Sequence, residues 1–357
     1  MSGTSMDGID AVLVDLSQAQ PQLLEANTYA WPSELKQRLN SVAQGQAITP
    51  SQLAELDAEV GEHFAGAALS ISSKAEGNEI KAIGSHGQTI AHNPSAKHPY
   101  TLQIGDPSRI SEKCKITTVA DFRRRDISAG GEGAPLLPAY HQTLFRNPEE
   151  NRLVLNIGGI SNLTWLAADT SESVTGFDTG PGNCLMDEWI KKHHDKPYDL
   201  DGAWAAEGKP NAALLRELLS DSYYQQSAPK STGTDYFCLD RINKVLEEHT
   251  VSAVDTQATL LQLTARSIAD AIKKQYPQAD KLLVCGGGAH NPTLLGAISD
   301  ATNLAVVSTE KYGLAPDWVE AVGFAWLAQQ TMNKKAGNLP EVTGAKGPRI
   351  LGAIYPA

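Results

Sequence analysis

Two hairpins limit what this chain can fold into. Gly3-Thr4-Ser5-Met6-Asp7-Gly8 runs into the apolar stretch AVLVDL (11–16), and Gly158-Gly159-Ile160-Ser161-Asn162 runs into LTWLA (163–167). Gly3 and Gly158 stand almost half of the 357 residues apart. Two halves that each open on a glycine turn and a strand predict an internal duplication. The length suits two domains of ordinary size. The polar run Asn147-Pro148-Glu149-Glu150 marks the boundary, giving a first lobe of 1–148 and a second of 149–357, whose C-terminal tail is free to pack back on the first lobe.

Between the hairpins the pattern alternates strand and helix. QLLEANTYAW (22–31) predicts a strand antiparallel to 11–16. Ser33 opens a short helix, and Thr49-Pro50 opens a longer one carrying Ala54, Leu56, Val60 and Phe64 at helical spacing. Further helices are predicted over 239–249, 253–276 and 316–334. KAIGSHGQTI (81–90), YTLQIG and KITTVADF are strands whose C-terminal ends release His86, Asp106 and Arg123-Arg124-Arg125-Asp126. Sites of open α/β sheets lie beyond those ends, so the pattern predicts one shared cleft.

Four glycine-rich turns follow strands: 3–8, 158–162, 176–182 and 286–288. Glycine lets backbone N–H groups converge on an anion, and Ser, Thr and Asn add donors. Gly3 to Gly8 has P-loop spacing, but Ile9 and Asp10 stand where the lysine and hydroxyl belong, and a strand follows instead of a helix. Gly286-Gly287-Gly288 lacks both the last glycine of a dinucleotide fingerprint, where Asn291 stands, and the acid that should follow. What remains is a two-lobed nucleotide site. One hairpin turn from each lobe grips the phosphates, and the triple glycine admits the adenosine close to the backbone. That is the plan of the actin-like sugar kinases and heat-shock ATPases. The fold expectation is therefore α/β: an actin-like ATPase (ribonuclease H-like) fold, with duplicated mixed-sheet domains and a central cleft.

Composition narrows the partners. The net charge of -11 comes without any basic block, so nucleic acid is not expected. No stretch approaches the ~18 apolar residues of a membrane span. Four cysteines, at 114, 184, 238 and 285, show no C-x-x-C spacing, which argues against a zinc knuckle or redox pair. Few thiols and no apolar leader point to a reducing cytosol. His193 and His194 are adjacent on a predicted helix, point about 100° apart, and read as surface residues.

MSGTSMDGID, SHGQTIAHNP, ADFRRRDISAGGEGAPLLPAYH, LNIGGISNLT, GFDTGPGN and CGGGAHNP together closely resemble the anhydro-N-acetylmuramic acid kinases, over nearly the whole chain from Gly3 to the EAVGFAWLA helix. The resemblance implies ATP-dependent conversion of 1,6-anhydro-N-acetylmuramic acid to N-acetylmuramic acid 6-phosphate. It also implies Mg²⁺ alongside ATP, a homodimer, and a place in cell-wall recycling in the bacterial cytoplasm.

Asp178, at a strand end before Thr179-Gly180-Pro181-Gly182, is the candidate catalytic base, and the resemblance places the family's base on this aspartate. The bland reading is a turn-capping Asp. The expected nucleotide contacts are Gly3, Thr4, Ser5, Met6, Asp7, Gly8, Ile9 and Asp10 from the first turn. Asn156, Gly158, Gly159, Ser161, Asn162, Gly180, Gly286, Gly287 and Gly288 supply the rest. Thr4 and Ser5 would donate to β- or γ-phosphate oxygens, and Asp7, ahead of Asp10, would hold Mg²⁺ through water. His86, Gln88 and Thr89 would hydrogen-bond the sugar or its N-acetyl group. Arg125, with Arg124 in reserve, would hold its lactyl carboxylate. The resemblance adds Glu320 as a sugar contact, against the plainer reading of a helix-start acid.

Arg152 to Asn156 form the strand that feeds the second glycine turn, and no counterpart precedes Gly3. The expectation is that the first lobe's opening strand is missing from this sequence, and that a chain extended by about ten residues would be more stable and bind ATP better. Two other readings stay open: an actin-fold sugar or acid kinase without ring opening, and a catalytically silent nucleotide-binding scaffold.

Overall fold

The computed structural model describes residues 1–3, 6–18 and 20–357. It divides into two compact units, Met1–Leu144 with Trp318–Ala357, and Phe145–Asp317. Thr4 and Ser5, expected at the phosphates, lie outside the described residues.

In the first unit, β1 (Ile9–Asp15) and β2 (Gln22–Tyr29) form the expected antiparallel hairpin, with Ile9 opposite Tyr29. The helix Ser33–Ala43 follows, then Pro50–Ser72. Thr49 caps the longer helix and Gln52 completes a capping box, while Pro50 sits in the first turn, where its missing N–H is not needed. The helix buries Leu56, Val60, Phe64 and Ala67 against Met6, Ile9, Trp31, Leu35 and Leu39. This apolar stripe fixes the floor beneath the first glycine turn.

Four short strands come next: β3 (Ile83–Gly84), β4 (Gln88–Asn93), β5 (Tyr100–Ile104) and β6 (Thr118–Ala120). β3 pairs parallel with β6, and β4 antiparallel with β5. Asp106, one of the polar strand-end residues, caps the helix Pro107–Cys114 by accepting from the Ser108 N–H at 2.9 Å.

The second unit carries one five-stranded sheet: β7 (Arg152–Ile157), β8 (Ile160–Leu166), β9 (Thr175–Pro181), β10 (Lys281–Cys285) and β11 (Ala305–Ser308). The spatial order is β11-β10-β7-β8-β9, and only β8 runs against the others. Counted within the unit, this is the 3-2-1-4-5 order of a ribonuclease H-like sheet. Central β7 is buried at every residue, which is why RLVLNI reads as an apolar run without alternation. The helix Ala253–Gln275 buries Leu260, Leu261, Leu263, Ile268 and Ile272 in the same core as Leu153, Leu155, Leu282 and Val284.

From Trp318 the chain rejoins the first unit. The helix Val319–Met332 packs Phe324, Leu327 and Ala328 with Val119, Phe122, Leu136 and Leu137. β12 (Ala353–Tyr355) then pairs antiparallel with β6. Fully buried Asp126 secures this return by accepting from Asn338 Nδ2 at 2.7 Å, Thr343 Oγ1 at 2.8 Å and the Gly133 N–H at 2.8 Å. The first unit thus has the same ingredients as the second, a hairpin after a glycine turn and a parallel pair, but in separate sheets.

Candidate active site

The first glycine turn is tied down at Gly3. Its carbonyl accepts from the Met6 N–H at 3.1 Å and from Gln88 Nε2 at 3.2 Å. Met6 is almost fully buried and has a φ of 52°, a left-handed conformation that few side chains adopt. Burial in the helix-lined core and the Gln88 bond offset that strain. Gly8 meets the hairpin closely: a Cβ there would lie 2.6 Å from Thr28 Cγ2 and 3.0 Å from the Tyr29 carbonyl. Ile9 is buried. Asp7 projects outward, 79% exposed, with Lys36 Nζ at 3.6 Å. Asp10 faces β2, where its Oδ1 accepts from Thr28 Oγ1 at 2.7 Å.

A charged cluster follows in the same unit. Buried His86 places Nδ1 2.8 Å from the Gly87 carbonyl, and its Nε2 accepts from Arg123 Nε at 3.0 Å. One partner is an acceptor and the other a donor, so the ring is neutral, with its proton on Nδ1. Burial, then the Arg123 charge, hold His86 well below its ordinary pKa. Arg123 also donates from Nη1 to the Gly133 carbonyl at 2.8 Å. Glu320, at the start of the helix Val319–Met332, is raised by desolvation, an effect that Arg123 opposes. Arg124 and Arg125 sit on the short helix Arg124–Ser128 and are exposed, Arg124 being 3.6 Å from Asp121. The arginine brought to His86 and Glu320 is therefore Arg123, the first of the run from which the sequence had favoured Arg125. Thr89 lies on β4, where its Oγ1 accepts from Gln103 Nε2 at 3.1 Å.

The second unit holds its glycine turn with backbone. The Gly159 carbonyl accepts from the N–H groups of Gly182 at 2.8 Å and Cys184 at 3.2 Å, and the Gly158 carbonyl accepts from Asn183 at 2.8 Å. The start of the helix Cys184–His194 is thereby committed to the turn. A Cβ on Gly182 would fall 2.3 Å from the Gly158 carbonyl oxygen. Ser161 is fully buried, and its hydroxyl lies 2.7 Å from Thr179 Oγ1. That hydroxyl stitches β8 to β9. Gly180 has a φ of +144° and packs on the Tyr224 ring.

The triple glycine is shaped by β7 and Asn156. A Cβ on Gly286 would meet Asn156 Oδ1 at 2.3 Å, and one on Gly288 would meet Ile157 Cγ2 at 2.3 Å. Gly287 is the open member, with only Asn183 Nδ2 at 3.9 Å. Two of the three glycines are thus required by packing alone.

Asp178 sits on β9, opposite Asn162 of β8. β9 is one of the two edge strands, and a segment from outside the sheet covers it at Asp178. The Asp178 N–H donates to the Lys230 carbonyl at 3.1 Å, its carbonyl accepts from Tyr223 Oη at 2.7 Å, and its Oδ2 accepts from the Thr232 N–H at 3.0 Å. The sequence reading missed this segment. Its signal was the polar run Lys230-Ser231-Thr232-Gly233, a glycine turn that follows no strand. His193 and His194 are exposed, as expected.

A carboxylate held in this way can accept a proton, and the glycine turns beside β9 suit an anion. Among the described residues, no three His, Cys, Asp or Glu gather as a metal-holding group, and no helix is long and apolar enough to cross a membrane.

The chain is similar to known proteins. A protein of Xanthomonas axonopodis pv. citri named anhydro-N-acetylmuramic acid kinase is 50% identical over 100% of this chain and 97% of its own. One of the same name from Coxiella burnetii is 48% identical over 99% of this chain and 96% of its own. Among solved structures, a ROK family glucokinase from Streptomyces griseus aligns with 90% of this chain and 100% of its own, at 12% identity and a TM-score of 0.38, too low to add to the argument. The family model of the anhydro-N-acetylmuramic acid kinases matches residues 1–357, and the chain belongs to that family of phosphotransferases.

Proposed function

We propose that this kinase uses water and ATP to open the 1,6-anhydro ring of 1,6-anhydro-N-acetylmuramic acid and to phosphorylate the freed O6. Asp178 takes a proton from the water that attacks C1. The C1–O6 bond breaks, O6 attacks the γ-phosphorus, and ADP leaves. The product is N-acetylmuramic acid 6-phosphate, in peptidoglycan recycling in the cytoplasm. The observation that carries this reading is the Asp178 carboxylate, held on the edge strand β9 by the Thr232 N–H, with Gly180 and Pro181 at the end of that strand paired to Ser161 and Ile160 beside the second glycine turn. A positioned general base contributes about 10²–10⁴ in rate.

The remaining roles follow from chemistry. The glycine turns at Gly3–Gly8 and Gly158–Asn162 serve the phosphates, and Gly287 offers the open backbone for adenosine. His86, Gln88 and Glu320 serve the sugar, and Arg123 joins them as the cation of that cluster. Neutral His86 can present its ring without adding charge beside Arg123. Exposed Asp7 fits Mg²⁺, which keeps most of its waters and needs few protein oxygens. When bound, that ion would neutralise charge on the phosphates. The enzyme acts as a homodimer, as the resemblance implies.

Turnover in ¹⁸O-labelled water tests the reading. Label at C1 of the product is the expected result. A phosphorylated product without label would replace the ring-opening reaction with simple transfer to a hydroxyl. Asp178→Asn should still bind ATP and sugar while turnover falls about 10²–10⁴-fold.

A further inference from the structure

Residues 223–232 do more than cap an edge strand. Edge strands expose N–H and C=O groups that natural proteins cover, and any loop could cover them. Here all three groups of one residue are taken: the N–H, the carbonyl and a carboxylate oxygen of Asp178. The segment is braced from behind. Lys230 is only 8% exposed; its ammonium donates to the Tyr223 carbonyl at 3.1 Å and lies 4.3 Å from the centre of the Tyr223 ring. Beyond Thr232 the segment continues past the glycine turn, where a Cβ on Gly159 would lie 3.3 Å from Thr234 Cγ2. One short stretch therefore touches both the candidate base and the candidate phosphate turn.

We propose that residues 223–232 form a clasp that orients the Asp178 carboxylate, with Tyr223 and Lys230 as positioning residues and the Lys230 ammonium as its neighbouring cation. This rests on the reading of Asp178 as the base. The Thr232 N–H fixes the plane of the carboxylate through Oδ2. Tyr223 Oη fixes the strand beneath it. Lys230 holds Tyr223 and supplies a positive charge that Asp178 feels. The groups around Lys230 are Asp178 on β9, Lys274 and Asp270 on the helix Ala253–Gln275, and Tyr223 and Tyr224 on the segment itself. Burial and then Lys274 lower the Lys230 pKa, and Asp178 opposes them. Neutral Asn162 faces Asp178 from β8.

Two variants test the clasp. Tyr223→Phe keeps the ring and deletes one hydrogen bond. It should lower kcat about 5–10-fold while the KM values for ATP and sugar stay within about twofold, the cost of roughly one hydrogen bond expressed in the transition state. Lys230→Met should move the acid limb of the kcat profile upward by about half a pH unit or more, and Lys230→Arg should restore it. ¹³C NMR titration of the Asp178 carboxyl separates this idea from the one it rests on. A raised midpoint in Lys230→Met with an unmoved rate profile keeps the clasp and removes Asp178 as the base. An unmoved midpoint, or a wild-type kcat in Tyr223→Phe, overturns the clasp. Should Lys230→Met fail to fold, Tyr223→Phe decides alone.

Discussion

The two glycine turns share a sequence pattern and differ in what holds them. In the second unit the turn joins two paired strands, and its carbonyls are satisfied by the backbone at residues 182–184. In the first unit the backbone bond from Met6 to Gly3 is joined by side chains: buried Gln88 reaches the Gly3 carbonyl, and Met6 anchors the loop in the core in a left-handed conformation. A backbone lock tolerates side-chain changes but not a new Cβ, whereas a side-chain lock can be removed by one substitution. Rigidity of a glycine turn is thus reached by two routes within one chain.

The contrast extends to acid stability, where the largest effect is expected. The first unit buries His86 and His141, both lowered by burial, His141 to about 3. In the second unit His193 is also lowered, but it is exposed. Free histidine titrates near 6.5, so below that value the unfolded first unit binds protons that the folded one refuses. The stability these two groups contribute is complete above pH ~6.5 and is lost as pH falls toward their folded values. At pH 5 the loss from His141 alone is on the order of 2 kcal/mol. Urea unfolding at pH 7.5 and 5.0 should show it, and His141→Gln should flatten part of the slope. An identical slope in that variant would break the comparison.

Gly182→Ala comes second. Its Cβ would strike the backbone oxygen of Gly158 at 2.3 Å, so a cost of about 2–3 kcal/mol is expected. Gly8→Ala meets Thr28 Cγ2 first, a side-chain atom, and should cost about half as much. Denaturant midpoints rank the two, and a reversed order would contradict a backbone lock in the second unit.

The smallest effect sharpens the same point. Gln88→Leu removes the bond to Gly3 at a cost of about 1 kcal/mol. About fivefold is the ceiling if that cost falls on ATP binding, so KM for ATP should rise toward it, and KM for the sugar should rise too because Gln88 also serves the sugar. An unchanged KM for ATP would mean that Met6 alone sets the loop.

Much of this was legible in the sequence, for identifiable reasons. The hairpins and the Pro50–Ser72 helix follow from local periodicity and caps; Asp178 stood out for the glycine-rich run after it, although that run continues β9 to Pro181, because backbone pairing with β8 holds it extended. The RRR run was harder. Three consecutive arginines at a strand-to-helix junction point in different directions, and only the register of that junction turns Arg123 toward His86 and leaves Arg125 exposed. Ser161 was expected as a nucleotide contact, and the cross-strand pairing of its hydroxyl with Thr179 could not be read from the motif. The cover over β9 was invisible because its bonds link positions about fifty residues apart with no repeating pattern.

The return of the chain at Trp318 also sets an order of events at the ribosome. The second unit is continuous, so it can close once Asp317 has emerged. The first unit begins earlier and finishes later. Val119, Phe122, Leu136 and Leu137 must wait for Phe324, Leu327 and Leu351, and Asp126 waits for Asn338 and Thr343. Translation at about 5–20 residues per second leaves those apolar side chains and that carboxylate without their partners for roughly ten seconds or more. The half made first is therefore the half in need of protection during synthesis, and truncations after Asp317 should expose it to proteases while the second unit stays closed.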